Sequence, residues 1–272
     1  MAFQEHYFPQ RIVCLTEEPT ETLYLLGEES RIVGISGFTV RPVQARKEKP
    51  RVSAFIRADI EKILALEPDL VIGFSDIQAD IAKELIARGI TVWINNHRSV
   101  EGIFKMIAQI GSLVGKIDAA NNLINQFKNE IKKICDTNKG KEPKPKIYFE
   151  EWYDPLISGI RWVSELIELA GGIDIFKEYK NASLAKDRII ADTNEVVKRN
   201  PDIIIASWCG KKFKKEQLVK REHWRDINAV KNDFIFEIKS SIILQPGPAA
   251  VTEGIKELAG IITKWHYFHN SK

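Results

Sequence analysis

Apolar residues along 116–136, KIDAANNLINQFKNEIKKICD, fall at Ile117, Ala120, Leu123/Ile124, Phe127, Ile131 and Ile134/Cys135. A spacing of three or four lays one apolar stripe along an α-helix. Asp118 stands in the first turn and Lys132 and Lys133 in the last, the order that the helix dipole favours. Gly and Pro in the following DTNKGKEPKPK end the helix. About 20 residues at 1.5 Å each make a rod of about 30 Å, the span of a small domain.

On both sides of this rod the chain alternates short apolar runs with amphipathic ones. In the first half, strands are predicted at 11–15, 31–35, 70–73 and 91–94. Helices are predicted over the EEPTETLYLLG stretch and at 58–67, 79–88 and 99–114. The stretch SGFTVRPVQARKEKPRV between them is expected as loop with room for a turn of helix. In the second half, strands are predicted at 147–149 and 203–206, with helices at 162–170, 191–199 and 249–262. The terminal HYFH is expected to fray.

One unit occurs twice. ADIEKILALEPDLVIG, from Ala58, recurs as ADTNEVVKRNPDIIIA, from Ala191, a period of 133 residues with Ala, Asp, Pro-Asp and the apolar strand in step. Strands alternating with helices in both halves predict an α/β fold, two lobes of parallel sheet covered by helices. The expected division is an N-terminal lobe at 1–115, the connecting helix at 116–140 and a C-terminal lobe at 141–272. Ligand then belongs in a cleft between the lobes, at the carboxyl ends of the strands.

The totals narrow the chemistry. Of 272 residues, 40 are Lys or Arg and 37 are Asp or Glu, so net charge gives no argument for nucleic acid. The run KKFKK at 211–215 reads as a solvated face. Three separated cysteines, Cys14, Cys135 and Cys209, form no disulfide framework. No stretch approaches 18 apolar residues, and MAFQEHYFPQRIVCL lacks the parts of a secretory leader. As written the chain is expected in the cytosol, unembedded in membrane and monomeric, or in the periplasm if a leader was removed.

The segments RIVCLTEEPTETLYLLGEESRIVG, IEKILALEPDLVIG, LISGIRWVSELIELAGGIDIF and NEVVKRNPDIII give the chain its resemblance to class III periplasmic binding proteins. These are the iron-siderophore and vitamin B12 substrate-binding components of ABC transporters, with two lobes on a helical backbone. The chain looks closest to the branch labelled cobalamin-binding. The resemblance implies a small-molecule binding protein that is not an enzyme, has a corrinoid or iron chelate as ligand, and needs no resident cofactor or metal. A rigid backbone helix implies modest closure on ligand.

It also implies an ABC transporter permease as partner, met by one docking Glu per lobe, seven residues before the Pro of Pro-Asp. Glu61 matches in the first half. Asn194 holds the equivalent place in the second, with Glu195 beside it and about 100° round the helix.

Post-strand positions nominate the ligand-binding residues. Aromatic candidates are Phe38, Phe55, Phe74, Trp152 and Trp208; the others are Glu17, Ser75, Asn96, Glu151, Arg161, Cys209, Lys239 and Gln245. Trp208, Trp152, Phe38 and Phe74 would clamp the ligand, and Glu17, Glu151 and Arg161 would orient it. Trp93 and Trp162 read as core. A competing reading is a cytosolic enzyme or binding protein for a compact polar ligand in the same cleft. Cys209, followed by Gly210 and two lysines, would be its nucleophile. His6, His97, His223, His266 and His269 show no metal-ligand spacing.

Overall fold

The computed structural model describes residues 7–271, so His6 and the rest of the first six residues lie outside the described part. Two compact units emerge. Unit 1 comprises residues 1–97 and 101–126, and unit 2 comprises 98–100 and 127–272.

In unit 1, β1 (Ile12–Cys14), β2 (Ile32–Ser36), β3 (Arg51–Ser53), β4 (Leu70–Phe74) and β5 (Val92–Asn95) form one sheet in the order β3-β2-β1-β4-β5. Every neighbouring pair is parallel. Val13, Leu15, Val52, Ile63, Val71, Ile81 and Leu85 pack its core. A central strand apolar at every position, as β4 is, needs cover on both faces. The helices are α1 (Glu17–Leu25), α2 (Val43–Glu48), α3 (Ile60–Leu64), α4 (Ala79–Ala87) and α5 (Val100–Leu113). The expected loop before residue 54 in fact holds α2 and β3, both too short to stand out by period.

The long helix is α6 (Ile117–Asn138), within a residue or two of its predicted bounds. Its first turns belong to unit 1, where Ala120 approaches Gly111 so closely that a Cβ there would lie 2.4 Å from the Ala120 Cβ. Its last turns belong to unit 2, where Asn138 Nδ2 donates to the Ala170 carbonyl at 2.8 Å.

Unit 2 is built on β6 (Lys146–Tyr153), β7 (Leu156–Ser158), β8 (Ile173–Asp174), β9 (Ile203–Ala206) and β10 (Ile235–Glu237), in the order β10-β9-β6-β7 with β8 also on β6. Its helices are α7 (Arg161–Leu169), α8 (Asn194–Arg199), α9 (Lys215–Val219), α10 (Asn228–Lys231), α11 (Ser240–Ile243) and α12 (Ile255–Asn270). The sheet is parallel except for β6 and β7, which run antiparallel through a two-residue turn at Asp154-Pro155. Strand β6 is therefore eight residues long, and Glu151 and Trp152 lie inside it, not beyond its end.

Helix α12 runs on through HYFH to Asn270, because Trp265 and His266 are buried and His269 stacks on Trp265 at 4.7 Å. Both copies of the repeat fold alike, α3 leading to β4 and α8 to β9. Among the described residues no helix is long and apolar enough to cross a membrane.

Candidate functional site

Parallel strands deliver their following loops to one edge of the sheet. In unit 1 that edge carries apolar side chains in solvent. Phe38 after β2 is 59% exposed and Ile56 after β3 is 63% exposed, with Phe55 and Ile77 exposed beside them in sequence. Four such side chains at the ends of β2, β3 and β4, strands of one sheet, are more than scattered surface hydrophobes.

Buried amides hold these loops in place. The Gln78 carbonyl oxygen accepts from Phe74 N at 2.9 Å, and its Nε2 donates to the Phe55 carbonyl at 2.9 Å. The loop after β3 is thereby tied to the end of β4. Gly73 makes room for this: a Cβ there would lie 2.7 Å from Gln78 Oε1. Ser75 adopts φ 66°, ψ 169°, a region that side chains other than Gly rarely enter and that recurs at ligand sites. Its hydroxyl accepts from Ile77 N at 3.2 Å. Phe74 itself is buried, its ring edge-on to His97 at 5.3 Å.

Glu17 opens α1 but points inward, 3% exposed. It accepts from Val40 N at 2.6 Å, pinning the loop that displays Phe38. Burial pushes its pKa up to about 8, with Glu21 and Glu18 adding to the rise and the Val40 N–H opposing it. Near neutrality Glu17 is an uncharged acid, so it orients a loop and offers no carboxylate to a ligand.

Unit 2 spends its polar groups differently. Glu150, fully buried, accepts from Trp208 Nε1 at 2.9 Å, Tyr148 Oη at 3.1 Å and both terminal nitrogens of Arg221, one of them at 3.0 Å. Glu151 is gripped by Arg188 through two bonds of 2.6 and 3.0 Å, and Arg188 is buried. Trp208 is only 3% exposed, because its indole lies over Glu150 and between Tyr153 and Phe213, at 4.8 and 5.0 Å. Trp152 and Tyr153 are half-buried, and Lys211 sits 4.0 Å above the Tyr153 ring.

The other nominated ligand residues are Arg161, Lys239, Gln245, Asn96 and Cys209. Arg161, exposed at the start of α7, pairs with Glu165 at 2.7 Å. Lys239 is exposed before α11, and Gln245 is half-buried after it. Asn96 lies against α5, on a small cavity beside β5. Trp162 is core, its indole donating to the Ile243 carbonyl at 2.8 Å. Trp93 is half-buried on β5, which is less than core.

Cys209 is exposed, and its thiol titrates above the ordinary range: desolvation comes first and the Glu151 carboxylate second, against a bond to Ser240. The groups that move this thiol include no cation, and the net shift is away from thiolate. Among the described residues no three His, Cys, Asp or Glu side chains gather as a metal site.

Gln78 and Gly73 were beyond the reach of strand-end reasoning. Their only trace in the sequence is a glycine inside an apolar strand, which signals close approach by another group.

A family model described as "Periplasmic binding protein" matches residues 12–242. The chain belongs to this family. An uncharacterized ABC transporter substrate-binding lipoprotein of Bacillus subtilis, YvrC, is 29% identical over 258 residues, covering 92% of this chain and 79% of its own length. A Vitamin B12-binding protein of Vibrio campbellii is 25% identical over 244 residues, covering 87% and 84% of the two chains.

Among solved structures, a possible iron-binding (periplasmic solute-binding) protein of Staphylococcus epidermidis superposes with TM-score 0.79 at 25% identity, over 93% of this chain and 98% of that one. The chain is thus a class III periplasmic-binding-protein-like, small-molecule binding protein of the ABC-transport substrate-binding group. Its family and neighbours are non-catalytic. The location typical of the family is periplasmic or extracytoplasmic, the second of the two that the sequence left open.

Proposed function

We propose that this binding protein takes a corrinoid and presents it to an ABC transporter permease. The observation that carries the reading is the row of exposed apolar side chains, Phe38, Phe55, Ile56 and Ile77, at the strand ends of unit 1. A bulky ligand that lays a broad ring face on these side chains repays their exposure at roughly 25 cal/mol per Å² of apolar surface covered. A compact polar ligand does not, and the groups nominated to hold one are occupied: Glu17 is neutral, Glu151 is bound to Arg188 and Arg161 to Glu165. The relatives named as vitamin B12-binding support the same choice.

For the permease, Glu61 stands exposed on α3, paired at 3.1 Å with Arg88. A solvent-screened pair of this kind is worth little and yields readily to a stronger partner. Glu195 on α8 is already shared by Lys198 and Arg199, at 2.8 and 3.7 Å, so docking would lean on the Glu61 side.

The test is titration with cyanocobalamin, followed by visible absorption and by thermal melting, with heme in parallel. A ligand that binds only the folded chain at 100 times its Kd adds about 2.7 kcal/mol of stability, a readily measured rise in Tm. A rise with heme alone, or with neither, removes the corrinoid and leaves the family assignment intact.

A further inference from the structure

Strand β5 ends the sheet of unit 1 and has a strand partner on one side only. Against it, helix α5 leaves a cavity of about 240 Å³ lined by Trp93, Ile94, Asn95, Asn96, Lys105 and Gln109, among others. Drug-sized ligands occupy roughly 300–1,000 Å³, so this space suits only a small molecule and is too small for a corrinoid.

Its lining is chemically lopsided. Asn95 is 5% exposed, yet its Nδ2 has no hydrogen-bond partner, whereas nearly all buried polar groups have one. A half-turn of its carboxamide offers either end to an occupant. Lys105 and Gln109 lie four residues apart on α5, hence on one face, and both are exposed. Lys105 enters no ion pair among the described residues. No Asp or Glu lines the space. Donors and one cation therefore line the space together with the half-buried Trp93, which shares a face of β5 with Asn95.

We propose that this cavity is a second site of unit 1, taking a short-chain monocarboxylate. Its carboxylate meets the Lys105 ammonium and the side-chain amides of Asn95 and Gln109, and its alkyl tail lies on Trp93. One cation balances one negative charge; a doubly charged phosphate calls for more. The site is independent of the corrinoid reading, since none of these side chains is in the exposed strand-end row.

The experiment is a titration of the ¹⁵N-labelled chain with sodium butyrate, read at the side-chain amides of Asn95 and Gln109 and the indole N–H of Trp93. Sodium chloride at equal ionic strength and sodium phosphate are the comparison arms. Saturable shifts with butyrate, absent with chloride and weakened about tenfold by Lys105→Ala through the loss of a charge-assisted bond, support the site. Shifts that never saturate, that persist unchanged in Lys105→Ala, or that phosphate matches or exceeds, overturn it. Gln109→Leu, also at an exposed position, supplies the same reading should the first variant lose its fold.

Discussion

The strand ends of the two units carry opposite economies of polar groups. In unit 1 the polar side chains, Glu17 and Gln78, turn inward and hold loops, while Phe38, Phe55, Ile56 and Ile77 face water. In unit 2 the large aromatic Trp208 turns inward and is locked to a buried carboxylate, while Trp152 and Tyr153 stay half-covered, Tyr153 beneath Lys211. The contrast teaches that a charge near a strand end is no sign of ligand chemistry. Here most such charges are consumed by the fold, and what the strand ends leave uncovered is apolar in unit 1 and aromatic in unit 2.

The strongest way to break this contrast is through Glu150. Removing it in Glu150→Ala leaves the Arg221 guanidinium without its carboxylate, and the Trp208 N–H and Tyr148 O–H without an acceptor. Breaking one side of a buried pair costs about 3–5 kcal/mol. Urea unfolding measures it, and a loss under about 1 kcal/mol would mean that the network is ornamental.

Glu17 tests unit 1 in the same sense. The native chain keeps this proton until pH about 8, while a free glutamate releases it near 4.5. Between those values the folded state binds more protons than the unfolded one, so this group's contribution to stability falls as pH rises. Glu17→Gln cannot ionise and still offers an acceptor to Val40 N. Its melting curve should lose that downward slope and, at pH 9, exceed the parent by on the order of 3 kcal/mol. Parallel curves for the two proteins across this range would show that Glu17 is charged in the fold.

Much of the fold could be read from periodicity. Helix α6, the repeat, and strands β1, β2, β4, β5 and β9 all carry long or fully apolar patterns that only one element satisfies. Strands β3, β7 and β8 have three, three and two residues and each includes a polar one, so they lack the unbroken apolar run that marks the three-residue β1, and they exist because a neighbouring strand offers hydrogen bonds. At the site, sequence located the strand ends but not the direction of the side chains there. Whether Glu17 faces water or Val40, and whether Trp208 faces a ligand or Glu150, depends on residues 23 and 58 positions away. Local pattern holds no record of those pairings.

The exposed row in unit 1 offers a milder test. Phe38→Ala with Ile56→Ala removes side chains that the fold does not bury, so stability should stay within about 0.5 kcal/mol. Corrinoid affinity should fall about tenfold or more, at roughly 25 cal/mol per Å² of lost apolar cover. Calorimetric titration separates the two quantities. Unchanged affinity with unchanged stability would move the ligand away from this row.

The smallest expected effect compares the two copies of the repeat directly. Asp59 caps α3 by accepting from Lys62 N at 3.0 Å, three residues on, the geometry that satisfies an otherwise orphaned helix donor. Its counterpart Asp192 accepts instead from Asn194 N, two residues on, at 2.9 Å, which closes a turn ahead of α8 and leaves that helix without a side-chain cap. Asp59→Ala should therefore cost about 1 kcal/mol, and Asp192→Ala less. Asp192 also titrates below the usual carboxylate range, held there first by the Asn194 N–H, so what it contributes is present above that range and fades as pH falls through its lowered pKa. Equal losses at neutral pH would mean that the two copies start their helices in the same way after all, and that the shift from a three-residue to a two-residue bond has no energetic consequence.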